Sequence, residues 1–184
     1  YFTDQPPKRR LMDIPLNSAR IDIAPGERAF KVTDHFTIPV AVDVLGVIPH
    51  AHYVCRTMYA YAILPDGTRR TLLRIPDWNF NWQNTYFYET PINLPKDTVI
   101  EVVAHYDNTS DNPRNPNKPP IEVKWGEATT DEMIVGFVGL VKKGQDLTRP
   151  GEKDDLRQIL DEQIREHRRK LKEDQERDAR RRAR

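Results

Sequence analysis

The chain has 184 residues, a near balance of 29 Lys+Arg against 28 Asp+Glu (net charge +1), 15 prolines and a single cysteine. That length suits one domain with a real core plus a tail. One cysteine rules out an internal disulfide framework, and no run of roughly 18 apolar residues is present that could span a membrane as a helix. Tyr1-Phe2-Thr3 reads as a strand already in progress, so the chain is expected to be cut from a longer one. Residues 5–17 are rich in proline and charge, including Pro6-Pro7-Lys8-Arg9-Arg10, and read with residues 1–4 as the end of a preceding domain and a linker. Short β-favouring segments separated by turn signals follow. Arg20–Ala24 stops at Pro25-Gly26, Phe30–Ile38 stops at Pro39, and Val40–Ile48 is followed by Pro49, which marks a break or bulge just before His50. His52–Leu64 and Thr71–Ile75 flank the turn Pro65-Asp66-Gly67-Thr68. Thr85–Thr90, Val99–Tyr106 and Met133–Val141 complete the set. The prediction is an all-β, antiparallel, jelly-roll-like sandwich of about eight or nine strands over 18–143.

Two polar stretches interrupt the strands. Asp77 to Gln83 alternates aromatic and polar residues, so Trp78, Phe80 and Trp82 would share a face as sandwich core or as a substrate platform. Asn108 to Pro120 carries four prolines and four asparagines, which exclude a strand; it reads as an ordinary surface loop or as a rim to the site below. The last segment, 144–184, changes period. Leu156, Leu160, Ile164, His167 and Leu171 recur at steps of three and four, the stripe of an amphipathic helix. Glu162 and Glu166 interleave with Arg165 and Arg169, which describes a solvated or partner-docking helix rather than a nucleic-acid arm. The stripe fades after Leu171, and the final residues are expected to fray.

The residues that point to chemistry are His50 and His52, followed far downstream by Thr129-Thr130-Asp131-Glu132-Met133. On a strand, residues i and i+2 share a face, with Cα atoms roughly 6.6 Å apart, within reach of one metal ion. His-x-His also occurs on strands that bind nothing. A methionine thioether is a soft ligand that favours copper, above all Cu(I), and two imidazoles with one thioether leave positions open for chemistry. Met58 shares the parity of the histidines but lies roughly 20 Å beyond His52 along an extended strand. Cys55 has the opposite parity, which removes a two-histidine, one-cysteine electron-transfer site. His105, in Val103-Ala104-His105-Tyr106-Asp107, is a further candidate ligand or ligand-supporting residue, or else an incidental histidine; His35 and His167 read as incidental. No serine or cysteine nucleophile motif and no phosphate-binding glycine loop is present.

The run Ser18-Ala19-Arg20-Ile21-Asp22-Ile23-Ala24-Pro25-Gly26-Glu27, the His-x-His pair and the Asp-Glu-Met segment about eighty residues later resemble, in that order, the C-terminal domain of the copper type II, ascorbate-dependent monooxygenases. Peptidylglycine alpha-hydroxylating and dopamine beta-monooxygenases represent this family. The resemblance covers about Tyr1 to Val141 and implies that His50, His52 and Met133 hold the oxygen-activating copper, the M site. It implies ascorbate as reductant, an extracytoplasmic setting, and a second copper on an N-terminal domain, the expected partner in the same polypeptide. The isolated chain is then expected to bind copper without sustained turnover. Family members that act on peptides hold the substrate carboxylate with an arginine two residues before the first histidine and a tyrosine four residues after the methionine. Ile48 and Phe137 stand at those positions, which argues against a peptide substrate and leaves the choice between a small-molecule and a peptide-like substrate open. The rival reading is a non-catalytic binding or structural sandwich that keeps the fold and the metal or the fold alone. Copper storage would call for more than the three methionines present.

Overall fold

The computed structural model describes residues 4–182, and the strand expected at Tyr1–Thr3 lies outside them. Ten strands follow in chain order: β1 (Met12–Asn17), β2 (Asp22–Ile23), β3 (Phe30–Thr37), β4 (Val42–Ala51), β5 (Cys55–Ile63), β6 (Arg69–Ile75), β7 (Tyr86–Leu94), β8 (Val99–Tyr106), β9 (Val123–Lys124) and β10 (Ile134–Lys142). One helix, α1 (Leu156–Arg182), ends the chain. Eight strands form two four-stranded sheets, β1-β10-β4-β7 and β3-β8-β5-β6, and β2-β9 is a short ribbon. All of these ladders are antiparallel. The fold is an all-β sandwich, as the strand pattern predicts.

Alternation builds the core between the sheets. Val32, Phe36, Ile100, Val102, Ala104, Met58 and Ala60 of one sheet meet Ile14, Leu16, Val42, Val44, Val47, Ile134, Val138 and Leu140 of the other in one buried cluster. In β4 the ladder slips between Val44 and Gly46 against β7. A Cβ on Gly46 would stand 2.5 Å from the Tyr86 carbonyl oxygen, so only glycine permits this approach of β7.

Three boundaries differ from the sequence reading. The first concerns 1–17, expected as linker: Met12–Asn17 is an edge strand of the sandwich, paired with Leu140 to Val135. Its charges and Pro15 obscure it, yet an edge strand tolerates both, because one side of its backbone needs no partner. The flanking residues are anchored as well, since Lys8 accepts from the Leu147 amide and the Arg10 amide donates to Gln145 Oε1. The second concerns Pro49. It does not end the strand before His50, because the β7 ladder has already stopped at Val47 and β4 continues to Ala51 against β10 alone.

The third concerns 144–184, expected as a separate tail. Leu156 and Leu160 are fully buried within the common core, with Ile164 packed against it. His167, expected to be incidental, pairs with Asp34 at 3.2 Å. Asp34 is buried and also accepts the Asn17 amide, so helix, β1 and β3 meet on one carboxylate. The helix runs to Arg182, past Leu171 where the apolar stripe fades; of the final residues expected to fray, Ala183 and Arg184 lie outside the described residues. No helix among the described residues is long and apolar enough to cross a membrane. Leu160→Ala is expected to destabilise the whole sandwich by about 2–5 kcal/mol, the range for truncating a buried leucine. Chemical denaturation checks this; a loss below about 1 kcal/mol would show that α1 only rests on the surface.

Candidate metal centre

His50 and His52 stand where β4 leaves the sheet. The last ladder pairs are Val135 with His50 and Ile134 with Ala51, and His52 and Met133 lie one residue beyond the end of that ladder. Residues opposite one another in an antiparallel ladder share a face. Pro49 and Ala51 are buried while Ile48 and His50 are half-buried, which turns the histidine pair to the outer face of its sheet. The two imidazole centroids are 5.1 Å apart and nearly perpendicular. His52 lies just past β4 rather than at the start of the next strand, and it is only 2% exposed.

Both rings are held by Nδ1. The Gln83 amide nitrogen donates to the Phe80 carbonyl at 2.8 Å, which turns Gln83 Oε1 towards His50 Nδ1 at 2.6 Å. An amide oxygen only accepts, so Nδ1 carries the proton. His52 Nδ1 lies 3.0 Å from the Asp131 carbonyl, and the same reasoning applies. Each ring therefore keeps the lone pair on Nε2, the form in which imidazole binds a metal. Burial pushes the His50 pKa down; the Gln83 bond opposes that shift and the neighbouring His52 adds to it. The neutral ring is favoured.

Glu132 is the buried anchor beneath the pair. Its Oε2 accepts the amides of His52 (2.9 Å) and Met133 (3.1 Å), and its Oε1 those of Val54 (2.8 Å) and Cys55 (3.1 Å). Burial pushes its carboxyl up to about 7, against these four donors, which favour the ionised form. Tyr106 donates from the core side to the Met133 carbonyl at 2.8 Å. The aromatic segment also differs from expectation: Trp78 is core and donates to the His52 carbonyl at 3.1 Å, whereas Trp82 is 64% exposed. Phe80 packs edge-on to His52 and lies 4.4 Å from the Tyr53 ring.

The asparagine-rich loop is ordered from within rather than being a plain surface loop. Asn108 is fully buried and its side-chain amide donates to the carbonyls of Ile23, Ala24 and Ile121. Arg114 from this loop binds Asp77 and the Trp78 carbonyl. The loop thus braces the aromatic segment that covers His52, without itself supplying a group to the pair.

His105 does not join the pair. It stands on β8 in the opposite sheet, where its Nδ1 meets Thr57 Oγ1 at 3.0 Å and it shares a groove with Lys31, Tyr59 and Arg69. Alternation turns it to the outer side of that sheet, with the core in between. Cys55 and Met58 are fully buried in the core, in line with their exclusion as ligands. Among the described residues, no group of three or more His, Cys, Asp and Glu side chains is placed to hold a metal ion.

Sequence reasoning missed Gln83 and the part played by Glu132. Gln83 carried no signal, being one polar residue in a loop. Glu132 carried one: a carboxylate at the mouth of an otherwise apolar strand has to find donors inside the protein. No protein-family model matches the sequence, and no curated protein does so either.

Proposed function

We propose that this chain is the oxygen-activating, copper-binding domain of an ascorbate-dependent monooxygenase, with His50, His52 and Met133 holding the metal. One observation carries the reading: two imidazoles stand 5.1 Å apart, each with Nδ1 committed to an acceptor and Nε2 left with its lone pair, and the His52 and Met133 amides share Glu132 Oε2. Copper held by these residues would supply dioxygen activation for hydroxylating a C–H bond, and a second copper domain with ascorbate would be needed as the source of electrons. The chain's own residues do the rest. Gln83 and the Asp131 carbonyl hold the rings in the metal-binding tautomer, and Phe80 shields His52 from solvent. The strand orders β1-β10-β4-β7 and β3-β8-β5-β6, which mix strands from both ends of the chain in each sheet, support the jelly-roll form of the sandwich.

The test is Cu(I) titration against a competing chromophoric chelator. One equivalent is expected to bind. Met133→Ile, which keeps the volume but removes the sulfur, should weaken binding and leave the fold intact. Gln83→Leu should weaken it by about 10–100-fold, the usual cost of freeing a ligand imidazole from its partner. Undiminished affinity in Met133→Ile would remove that residue from the site.

A second reading is a non-catalytic binding module. It is favoured by the cross-strand pair Ile48 and Phe137 beside His50, with Phe137 38% exposed and Phe87 74% exposed. Such a face suits contact with another surface. A chain that binds no Cu(I) would favour this reading.

A further inference from the structure

His50 is placed by the sheet, but the other two candidate ligands are not. The β4–β10 ladder ends at Ala51 and Ile134, one residue short of both His52 and Met133. Beyond that point a single side chain takes over the work of the ladder. Glu132 is 0% exposed and accepts four backbone amides, two on each carboxylate oxygen. The amides of His52 and Met133 share Oε2, so their nitrogens stand no more than about 6 Å apart. The other oxygen pins Val54 and Cys55, which stops the turn after His52 from swinging away. Glu132 is itself fixed by its backbone, with its amide on the Lys124 carbonyl and its carbonyl accepting from Gly126. The Asp131 carbonyl holds the His52 ring from the same tripeptide.

We propose that Glu132 is the positioning residue that makes Met133 a metal ligand, by holding the His52 and Met133 amides on one carboxylate oxygen. This rests on the copper reading above. Asp131, Glu132 and Met133 then act as one unit: a carbonyl that orients the histidine, a carboxylate that sets the spacing, and a thioether that binds. A purely structural glutamate would support the turn without governing the sulfur.

The experiment is Cu(I) X-ray absorption and chelator competition on the full chain, comparing the unmodified protein, Glu132→Asp and Met133→Ile. Aspartate keeps the charge but is one methylene too short to reach all four amides. The unmodified protein should show copper–sulfur as well as copper–imidazole scattering. Glu132→Asp, folded by circular dichroism, should lose the sulfur contribution and bind Cu(I) about 10–100-fold more weakly, as Met133→Ile does. A folded Glu132→Asp that keeps both sulfur scattering and affinity overturns the inference while leaving the copper reading in place. Failure of the unmodified chain to bind Cu(I) overturns both. Should Glu132→Asp not fold, amide hydrogen exchange in the unmodified protein decides: Cu(I) must slow His52 and Met133 together, and a Met133 amide indifferent to copper overturns the proposal.

Discussion

Replacing Glu132 by leucine is expected to remove a large part of the chain's stability and to lower its Tm steeply. The substitution keeps an apolar volume but strands the amides of His52, Val54, Cys55 and Met133, all of which it now serves. A buried amide without an acceptor costs about 1–3 kcal/mol, so four amount to roughly 4–12 kcal/mol. Domains of this kind are stable by only about 5–15 kcal/mol. Relief from burying a carboxylate offsets part of the loss. Circular dichroism and thermal unfolding check the result. A Glu132→Leu chain with an unchanged Tm would mean that these amides find other partners and that the carboxylate is not the anchor.

The second large effect concerns metal affinity. His50→Ala should lower Cu(I) affinity by at least about 100-fold, more than the loss of a supporting residue. Stability should fall little, because His50 is half-buried on the outer face and its one recorded side-chain bond is to Gln83. His52→Ala should lower affinity as much but also weaken the fold, since that ring is 2% exposed and packs against Phe80. The contrast between the two variants is the useful part. Equal and small effects on binding would show that the ring pair is packing rather than ligation.

Much of the fold was legible because alternation leaves a plain mark. Phe30 to Thr37 and Val99 to Tyr106 read as strands and pair with each other along their whole length. The histidine pair followed from the same rule, since two residues two positions apart on an extended segment share a face. Other features were hidden for identifiable reasons. Met12–Asn17 looks like linker because an edge strand tolerates proline and charge. Pro49 looks like a terminator until the early end of β7 is known. The bonds from His167 to Asp34 and from Gln83 to His50 join residues far apart in sequence, and no local pattern announces them. His105 shows the converse. Its strand was read correctly, but only the sheet order reveals that β8 lies across the core from β4.

The most direct measurement is anomalous diffraction at the copper edge from crystals of the chain grown with Cu(I). A single peak is expected roughly 2.0–2.3 Å from His50 Nε2, His52 Nε2 and Met133 Sδ. No copper peak, or one held by other residues, would contradict the assignment of these three side chains as a copper site.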